Sequence, residues 1–392
     1  MIIQKTKKLI KLVLLIIFAL LLCSCQNNTI SIDKDILSVE NNAQTNETHK
    51  IELPEIDMPD DDKIKTLLTE MTLEEKVEQL FFARCPDVDA IETLENYALG
   101  GYILFGRDFK DKTPDEVIKT INSYQDTAKI PLLIGIDEEG GNVVRASRYP
   151  EFRETPFLSP QQLFEEGGYN LIQLDTIEKS SFLKDLGINV NLAPVCDIST
   201  NPEDFIYSRS FGQSPENTSV YISMVVTEMK NAQIGSALKH FPGYGNNADT
   251  HTGIAYDKRP FEQLETEDFL PFKAGINAGA DSILVSHNVV ESIDPLWPAS
   301  LSPLVNAVLR NTLQFNGVIM TDDMAMEGVK NFSEVDTSVL AIIAGNDLII
   351  TSNHEIQISN VLDAVKKGEI STARIDASVE RILTWKISLG II

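Results

Sequence analysis

The sequence predicts an α/β protein built as a (β/α)8 TIM-type barrel with a single catalytic domain. Three observations lead there. Short apolar runs alternate with stretches long enough for a crossover helix along most of the 392 residues. The runs are apolar nearly throughout, which is the pattern of parallel strands covered on both faces. Polar and charged residues gather just behind several of them, where a parallel barrel opens its working face. A doubly wound dinucleotide-binding sheet is the competing architecture. No Gly-x-Gly-x-x-Gly opens a helix behind a strand to support it.

The chain begins with a segment unlike the rest. Lys5, Lys7, Lys8 and Lys11 form a basic stretch, and residues 12–22 are almost wholly apolar. Such a run is too short to span a bilayer as a helix but suits the apolar part of a secretory signal. It ends Leu22, Cys23, Ser24, Cys25. This resembles a lipobox, and the small Ser24 makes Cys25 the expected lipidated residue. The expected division is a lipoprotein signal peptide over 1–24, a flexible tether over 25–55 and the barrel over 56–392. The tether is rich in Asn, Thr, Ser, Asp and Glu, with little apolar periodicity. The expected location is extracytoplasmic, at a membrane held through the lipid. A transmembrane anchor with chance cysteines is the alternative.

In the body, residues 71–82 read as one amphipathic helix. Thr72 and Glu75 stand at capping-box spacing, with Leu73, Val77, Leu80 and Phe81 along one face. Strands are expected at 102–105, 131–136, 188–193, 235–239, 282–285, 317–320 and 348–350, with an eighth suspected. Residues 374–386 form a last amphipathic helix, and no appended module is expected behind it. Hydrophobic residues at 43% and charged residues at 23% are ordinary for a globular protein. The 33 basic against 58 acidic residues give −25. Nucleic acid is therefore not an expected partner, because phosphate contacts need clustered cations. Cys85 and Cys196 sit in apolar surroundings, and a disulfide or two buried free thiols remain open. Neither these cysteines nor the five His show metal-site spacing, so no metal or other cofactor is expected.

The polar strand ends carry the chemistry. Asp137 follows the second expected strand, Asp197 the third, Lys239 and His240 the fourth, His287 the fifth, and Asp322 and Asp323 the sixth. Helix capping can account for Asp323 and Asp197. It accounts poorly for Lys239 and His240, since cations are disfavoured at helix N-termini. Residues 239–253 hold three Gly, one Pro and two His and read as a loop. Asp249 and His251 are two apart in it. The carboxylate can accept from one imidazole nitrogen while the other faces a substrate, so His251 can act as general acid and then general base. A loop turn at Asp249 with an exposed His is the structural alternative. Asp322 ends a buried strand, where its carboxylate points into the barrel mouth and can attack an electrophilic carbon. Asp323 is expected to cap the helix that follows. Asp137 can accept from sugar hydroxyls and Arg145 can donate, and the Gly140–Gly141 pair lets backbone pass close to a ligand. Arg209 lies on a loop behind the third strand.

Together these residues resemble glycoside hydrolase family 3, specifically the bacterial β-N-acetylhexosaminidases that release N-acetylglucosamine from cell-wall fragments. The motifs that carry the resemblance are Lys-His-Phe-Pro-Gly-x-Gly at 239–245 with Asp-x-His behind it, and Thr-Asp-Asp-Met-x-Met at 321–326. The resemblance runs from about Met71 to Arg381. It implies the barrel fold and hydrolysis with retention of configuration, without a cofactor. It implies Asp322 as nucleophile, and His251 as acid/base supported by Asp249. Asp137, Arg145, Arg209, Lys239 and His240 match residues that hold the terminal N-acetylglucosamine of a muropeptide or disaccharide. The chain departs from the family at Tyr244, where His is commoner, and at Glu138, where Gln or His is commoner. The loop 245–249 is also shorter by a residue or so. These differences bear on the leaving-group side. Two other functions compete: an inactive lipid-anchored sugar-binding protein, and a family 3 hydrolase or phosphorylase for another β-glycoside.

Overall fold

The computed structural model describes residues 60–247, 253–329 and 332–392. Cys25, Asp249 and His251 lie outside the described residues. Eight strands form one sheet: β1 (Phe81–Arg84), β2 (Gly101–Leu104), β3 (Leu133–Ile136), β4 (Val190–Asn191), β5 (Gly235–Phe241), β6 (Ser282–Val285), β7 (Val318–Thr321) and β8 (Ile349–Thr351). Their order is β8-β1-β2-β3-β4-β5-β6-β7, with each neighbouring pair parallel. A parallel bridge between Met320 and Leu348 brings β7 to β8 and nearly closes the ring. The Thr321 N–H donates to the Leu348 carbonyl there at 3.1 Å. The fold is the expected (β/α)8 barrel, and the seven expected strands fall within two residues of the apolar runs.

The eighth strand corrects one expectation. Residues 71–82 are not a single helix: the helix is Leu73–Glu78, and Phe81–Arg84 is β1. The capping box is present, with the Glu75 N–H donating to Thr72 Oγ1 and the Thr72 N–H donating to Glu75 Oε2. Beyond Glu78 there is no polar face left to give solvent. Leu80, Phe81, Phe82 and Ala83 are all fully buried, which suits a strand covered on both faces better than a surface helix. Gln79 stops the helix by sending its side-chain amide to the Ala98 and Leu99 carbonyls.

Three crossover helices share one sequence signal. Pro114–Thr127, Pro160–Asp185 and Pro215–Asn231 each begin with Pro behind a capping Thr113, Ser159 or Ser214. The hydroxyl satisfies an orphan amide, and Pro at the first position loses no hydrogen bond. The last helix, Thr372–Ser388, is capped by Ser371. Inside the barrel a Cβ at Gly135 would stand 2.4 Å from the Phe82 ring, so that ring fills the space a side chain would need. At the N-terminal end of the strands, buried Asp347 takes Arg310 at 2.5 Å and Arg381 at 3.1 Å. It also accepts from the Ile319 N–H and the Ser378 hydroxyl, tying the last helix to β7. Cys85 and Cys196 are free and buried. Burial pushes the Cys85 thiol up to about 12 and raises that of Cys196 as well, so both are inert. No helix among the described residues is long and apolar enough to cross a membrane.

Candidate active site

The C-terminal ends of the strands surround a cavity of about 460 Å³. Asp137, Arg145, Arg209, Lys239, His240 and Asp322, all singled out from the sequence, line it together. These residues come from four different strand ends and the loops behind them.

Neighbouring residues of a regular strand point to opposite faces. On β5 the register against β6 shifts between Lys239 and Phe241, and Lys239 and His240 both reach the cavity. Lys239 is almost fully buried. Its Nζ donates to Asp137 Oδ1 at 2.8 Å and pairs with Glu139 Oε1 at 2.6 Å. Arg209 donates to the same Glu139 through Nε at 3.0 Å and Nη2 at 2.7 Å. Burial opposes ionisation of Glu139, but Lys239 and Arg209 outweigh it and hold the carboxyl well below the usual range. Burial likewise opposes the Arg209 charge, and Glu139 more than compensates. Glu139 thus fixes two cations at once, and the sequence reading missed it. It lies in the run Asp137, Glu138, Glu139, ahead of two glycines with positive φ. A Cβ at Gly140 would fall 2.2 Å from the Leu158 carbonyl oxygen, so this sharp turn requires glycine.

His240 is held from both ring nitrogens. Nδ1 lies 2.6 Å from Asp197 Oδ2, and Nε2 lies 3.2 Å from Arg209 Nη2. Arginine only donates, so Nε2 accepts and Nδ1 carries the proton toward Asp197. Asp197 also accepts from the His240 and Tyr244 amides. It is a clamp on the β5 loop, not the helix cap that its position allowed. Glu138 is equally structural. Its buried carboxylate accepts from the Arg145 and Ala146 amides at 2.9 Å each and from the Ser147 hydroxyl. That pins the turn from which Arg145 reaches Asp137 Oδ2 at 3.4 Å.

Asp322 is the first residue behind β7. Its N–H donates to the Val285 carbonyl at 2.9 Å, and its Oδ1 accepts from the Asp323 N–H at 2.8 Å. Asp323 accepts from the Ala325 amide within a turn, so it caps a turn and not a helix; the next described helix is Thr337–Ala344. His287 sits outside the cavity lining. Its Nε2 meets the Asp323 carbonyl at 3.0 Å and its Nδ1 the Ser300 hydroxyl at 2.7 Å. The carbonyl only accepts, so Nε2 donates and His287 braces the Asp323 turn.

The loop that carries Asp249 and His251 is described at its root. Arg259 pairs with Asp257 at 2.6 Å and with Asp268 at 2.8 Å, and donates to the Gly243 carbonyl at 3.0 Å. Burial pushes Asp268 up to about 6 in spite of Arg259. A Cβ at Gly245 would stand 2.5 Å from the Arg259 guanidinium carbon, so the glycine lets the loop lie directly on this ion cluster. Tyr244 packs edge-on against His240, with ring centroids 5.5 Å apart. Among the described residues no group of His, Cys, Asp and Glu side chains could hold a metal ion.

A parallel barrel with a strand-end carboxylate and several buried cations and carboxylates around one cavity is an arrangement that can hold and attack a polar substrate. Comparison with known proteins agrees. Residues 72–385 match the family described as "Glycosyl hydrolase family 3 N terminal domain". A β-hexosaminidase from Xylella fastidiosa (strain M12) is 30% identical over 302 residues, which cover 75% of this chain and 88% of that protein. A β-hexosaminidase from Actinobacillus pleuropneumoniae serotype 5b (strain L20) is 34% identical over 290 residues, 71% of this chain and 81% of the relative. Among solved structures, a family 3 β-N-acetylglucosaminidase from Paenibacillus sp. str. FPU-7 superposes with a TM-score of 0.76 at 32% identity. That match covers 82% of this chain and 63% of the Paenibacillus protein, so the chain spans less than two thirds of its length. The chain belongs to glycosyl hydrolase family 3 and is a glycoside hydrolase.

Proposed function

We propose that this family 3 enzyme is an exo-acting, retaining β-N-acetylglucosaminidase that removes terminal N-acetylglucosamine from peptidoglycan fragments. The observation that carries the reading is the cavity itself: Asp322 lines it together with Asp137, Arg145, Arg209, Lys239 and His240. Its volume suits a single sugar ring with a short extension. The β-hexosaminidase relatives support the choice of amino sugar. The lipobox-like Leu22 to Cys25 supports an extracytoplasmic, lipid-anchored enzyme working where such fragments are released.

Asp322 attacks the anomeric carbon as the glycosidic bond breaks. The leaving oxygen takes a proton from the His251 imidazolium, whose charge Asp249 favours. A glycosyl ester on Asp322 results. Water then loses a proton to neutral His251, attacks the same carbon and releases Asp322, so the configuration is retained overall. Replacing His251 with Ala is expected to slow cleavage of natural disaccharides far more than that of aryl glycosides with good leaving groups, which need little protonation. Equal losses on both would contradict the acid role.

A neutral base beside the ester does not repel an anionic acceptor as a carboxylate would. Phosphorolysis is therefore a second reading. One experiment tests both. A panel of aryl β-glycosides, assayed with and without phosphate, should show preference for the N-acetylglucosaminide. Sugar 1-phosphate should appear if phosphate is an acceptor. Preference for a plain glucoside would overturn the substrate, and products indifferent to phosphate would exclude phosphorolysis.

A further inference from the structure

Asp322 can attack only if its carboxylate is aimed. An attacking atom displaced by about 1 Å can lose roughly 10²-fold in rate. Asp322 Oδ1 accepts from the Asp323 N–H at 2.8 Å. The backbone of Asp323 therefore helps to set where the attacking group lies.

That backbone is held from several sides. The Asp322 N–H donates to the Val285 carbonyl of β6, and the Met324 N–H to the Ile350 carbonyl of β8. The Asp323 carbonyl accepts from the Met326 N–H at 3.0 Å within the turn. It also accepts from His287 Nε2 at 3.0 Å, from 36 residues earlier in the chain. The first three bonds are backbone to backbone, so His287 is the holder that a side-chain substitution removes. His287 is fully buried and lines no part of the sugar cavity. It acts on the chemistry through the turn and not by touching substrate.

The brace needs one tautomer. A carbonyl only accepts, so the proton sits on Nε2. Nδ1 lies 2.7 Å from the Ser300 hydroxyl. In a neutral ring protonated at Nε2, Nδ1 accepts and the hydroxyl donates, which holds that tautomer in place. Ser300 is itself fixed. It is fully buried in the short turn Ala299–Leu301. Its N–H donates to the Ser286 carbonyl at 3.0 Å, and its carbonyl accepts from the Asn346 side-chain amide at 2.8 Å. Ser302, just behind, donates to buried Asp294 at 2.6 Å. A continuous chain of contacts thus runs from the scaffold through Ser300, His287 and the Asp323 backbone to Asp322.

A buried histidine with both nitrogens engaged is also what ordinary core packing produces. Its partner sets this one apart. The carbonyl it holds belongs to the residue directly behind Asp322, whose N–H the Asp322 carboxylate accepts from.

We propose that His287, with its tautomer set by Ser300, is a positioning residue that aims the Asp322 carboxylate at the anomeric carbon. This rests on Asp322 being the attacking group in the reading above and adds the pair that stands behind it.

The test reads kcat on the aryl β-glycoside that turns over fastest and, separately, inhibition by the matching free sugar. His287→Leu should lower kcat about 100-fold, the scale of an ångström of misplacement. Sugar binding should change by less than about twofold, as expected when only transition-state alignment is lost. His287→Gln puts an amide N–H near the place of Nε2 and should restore most of the rate. Ser300→Ala should lower kcat about tenfold in the wild-type background, the scale of one hydrogen bond. In the His287→Gln background it should do little, because an amide has no tautomer to set. A merely structural pair would shift the unfolding midpoint and leave kcat per folded molecule alone, which would overturn the proposal. Equal losses in kcat and in sugar binding would overturn it as well. So would the same loss from Ser300→Ala in both backgrounds. Should His287→Leu not fold, Ser300→Ala and His287→Gln decide. Preference for another sugar overturns the N-acetylglucosaminidase reading and leaves this proposal standing. Full activity in Asp322→Ala removes the attacking group from the reading and takes the proposal with it.

Discussion

Asp322→Ala is expected to lower kcat on an aryl N-acetylglucosaminide by roughly 10⁴-fold or more, the scale seen when the attacking group of a covalent mechanism is removed. The fold should survive. The side chain stands at the end of β7 and not in the core, and its Oδ1 accepts a hydrogen bond from the Asp323 N–H at 2.8 Å. Losing that bond costs about 1 kcal/mol, well within the margin of a domain this size. Thermal unfolding of the variant should therefore stay close to that of the wild type while turnover collapses. A structural role and a chemical one are separated by rescue. Azide added to the Ala variant can enter the space left by the carboxylate, attack the anomeric carbon and displace the leaving group in a single inverting step. An α-glycosyl azide from a β-glycoside identifies Asp322 as the nucleophile. An unaffected rate, or a loss of activity matched by a loss of folded protein, would dismiss the assignment and revive the sugar-binding alternative.

The barrel was legible because its strands are buried on both faces, and continuous apolar runs report that directly. β1 escaped for the same reason. Leu80 to Ala83 continues the apolar face of the preceding helix, and only the pairing with β2 and β8 distinguishes strand from helix there. The site residues were legible where strand periodicity stops and charge begins, as at Asp137, Lys239 and Asp322. Their holders were less so. Glu139 and Asp197 earn their roles from groups far along the chain: Glu139 lies 70 residues from Arg209, and Asp197 43 from His240. A carboxylate read locally looks like any loop or capping acid, and what sets it apart is burial among cations. Arg84 shows the converse. It ends a strand as an ordinary interfacial arginine would, and only the partners its neighbours already hold show that it makes no hydrogen bond or ion pair among the described residues.

The same reasoning about buried charge leads to Lys386, in the last helix. It is fully buried, and its Nζ donates to Gln79 Oε1 at 2.8 Å and pairs with no carboxylate among the described residues. Burial alone depresses its pKa from 10.5 to about 7. In the unfolded chain the ammonium is free in water and keeps its ordinary value. Between about pH 7 and 10.5 the unfolded state therefore binds more protons than the folded one, and stability rises with pH across this window. The penalty is full below about pH 7 and vanishes above 10.5. At 1.36 kcal/mol for each tenfold change, the whole drop corresponds to roughly 5 kcal/mol as an upper figure. Lys386→Met keeps the length and removes the charge. It leaves Gln79 Oε1 without its donor, at a cost of about 1–3 kcal/mol. The net expectation is a gain of about 2–4 kcal/mol near pH 6, read from urea unfolding, that shrinks and reverses slightly by pH 10. The site should be untouched, since Lys386 approaches the barrel from the end opposite the sugar cavity and lines no part of it. Parallel stability curves for the two proteins from pH 6 to 10 would show that Lys386 stays charged in the fold, compensated by water or by motion of the helix end. The active-site cations avoid this cost by pairing with Glu139 and Asp137. Lys386 has only an amide, and so the fold's own stability, and not its chemistry, should carry the pH dependence of this buried amine.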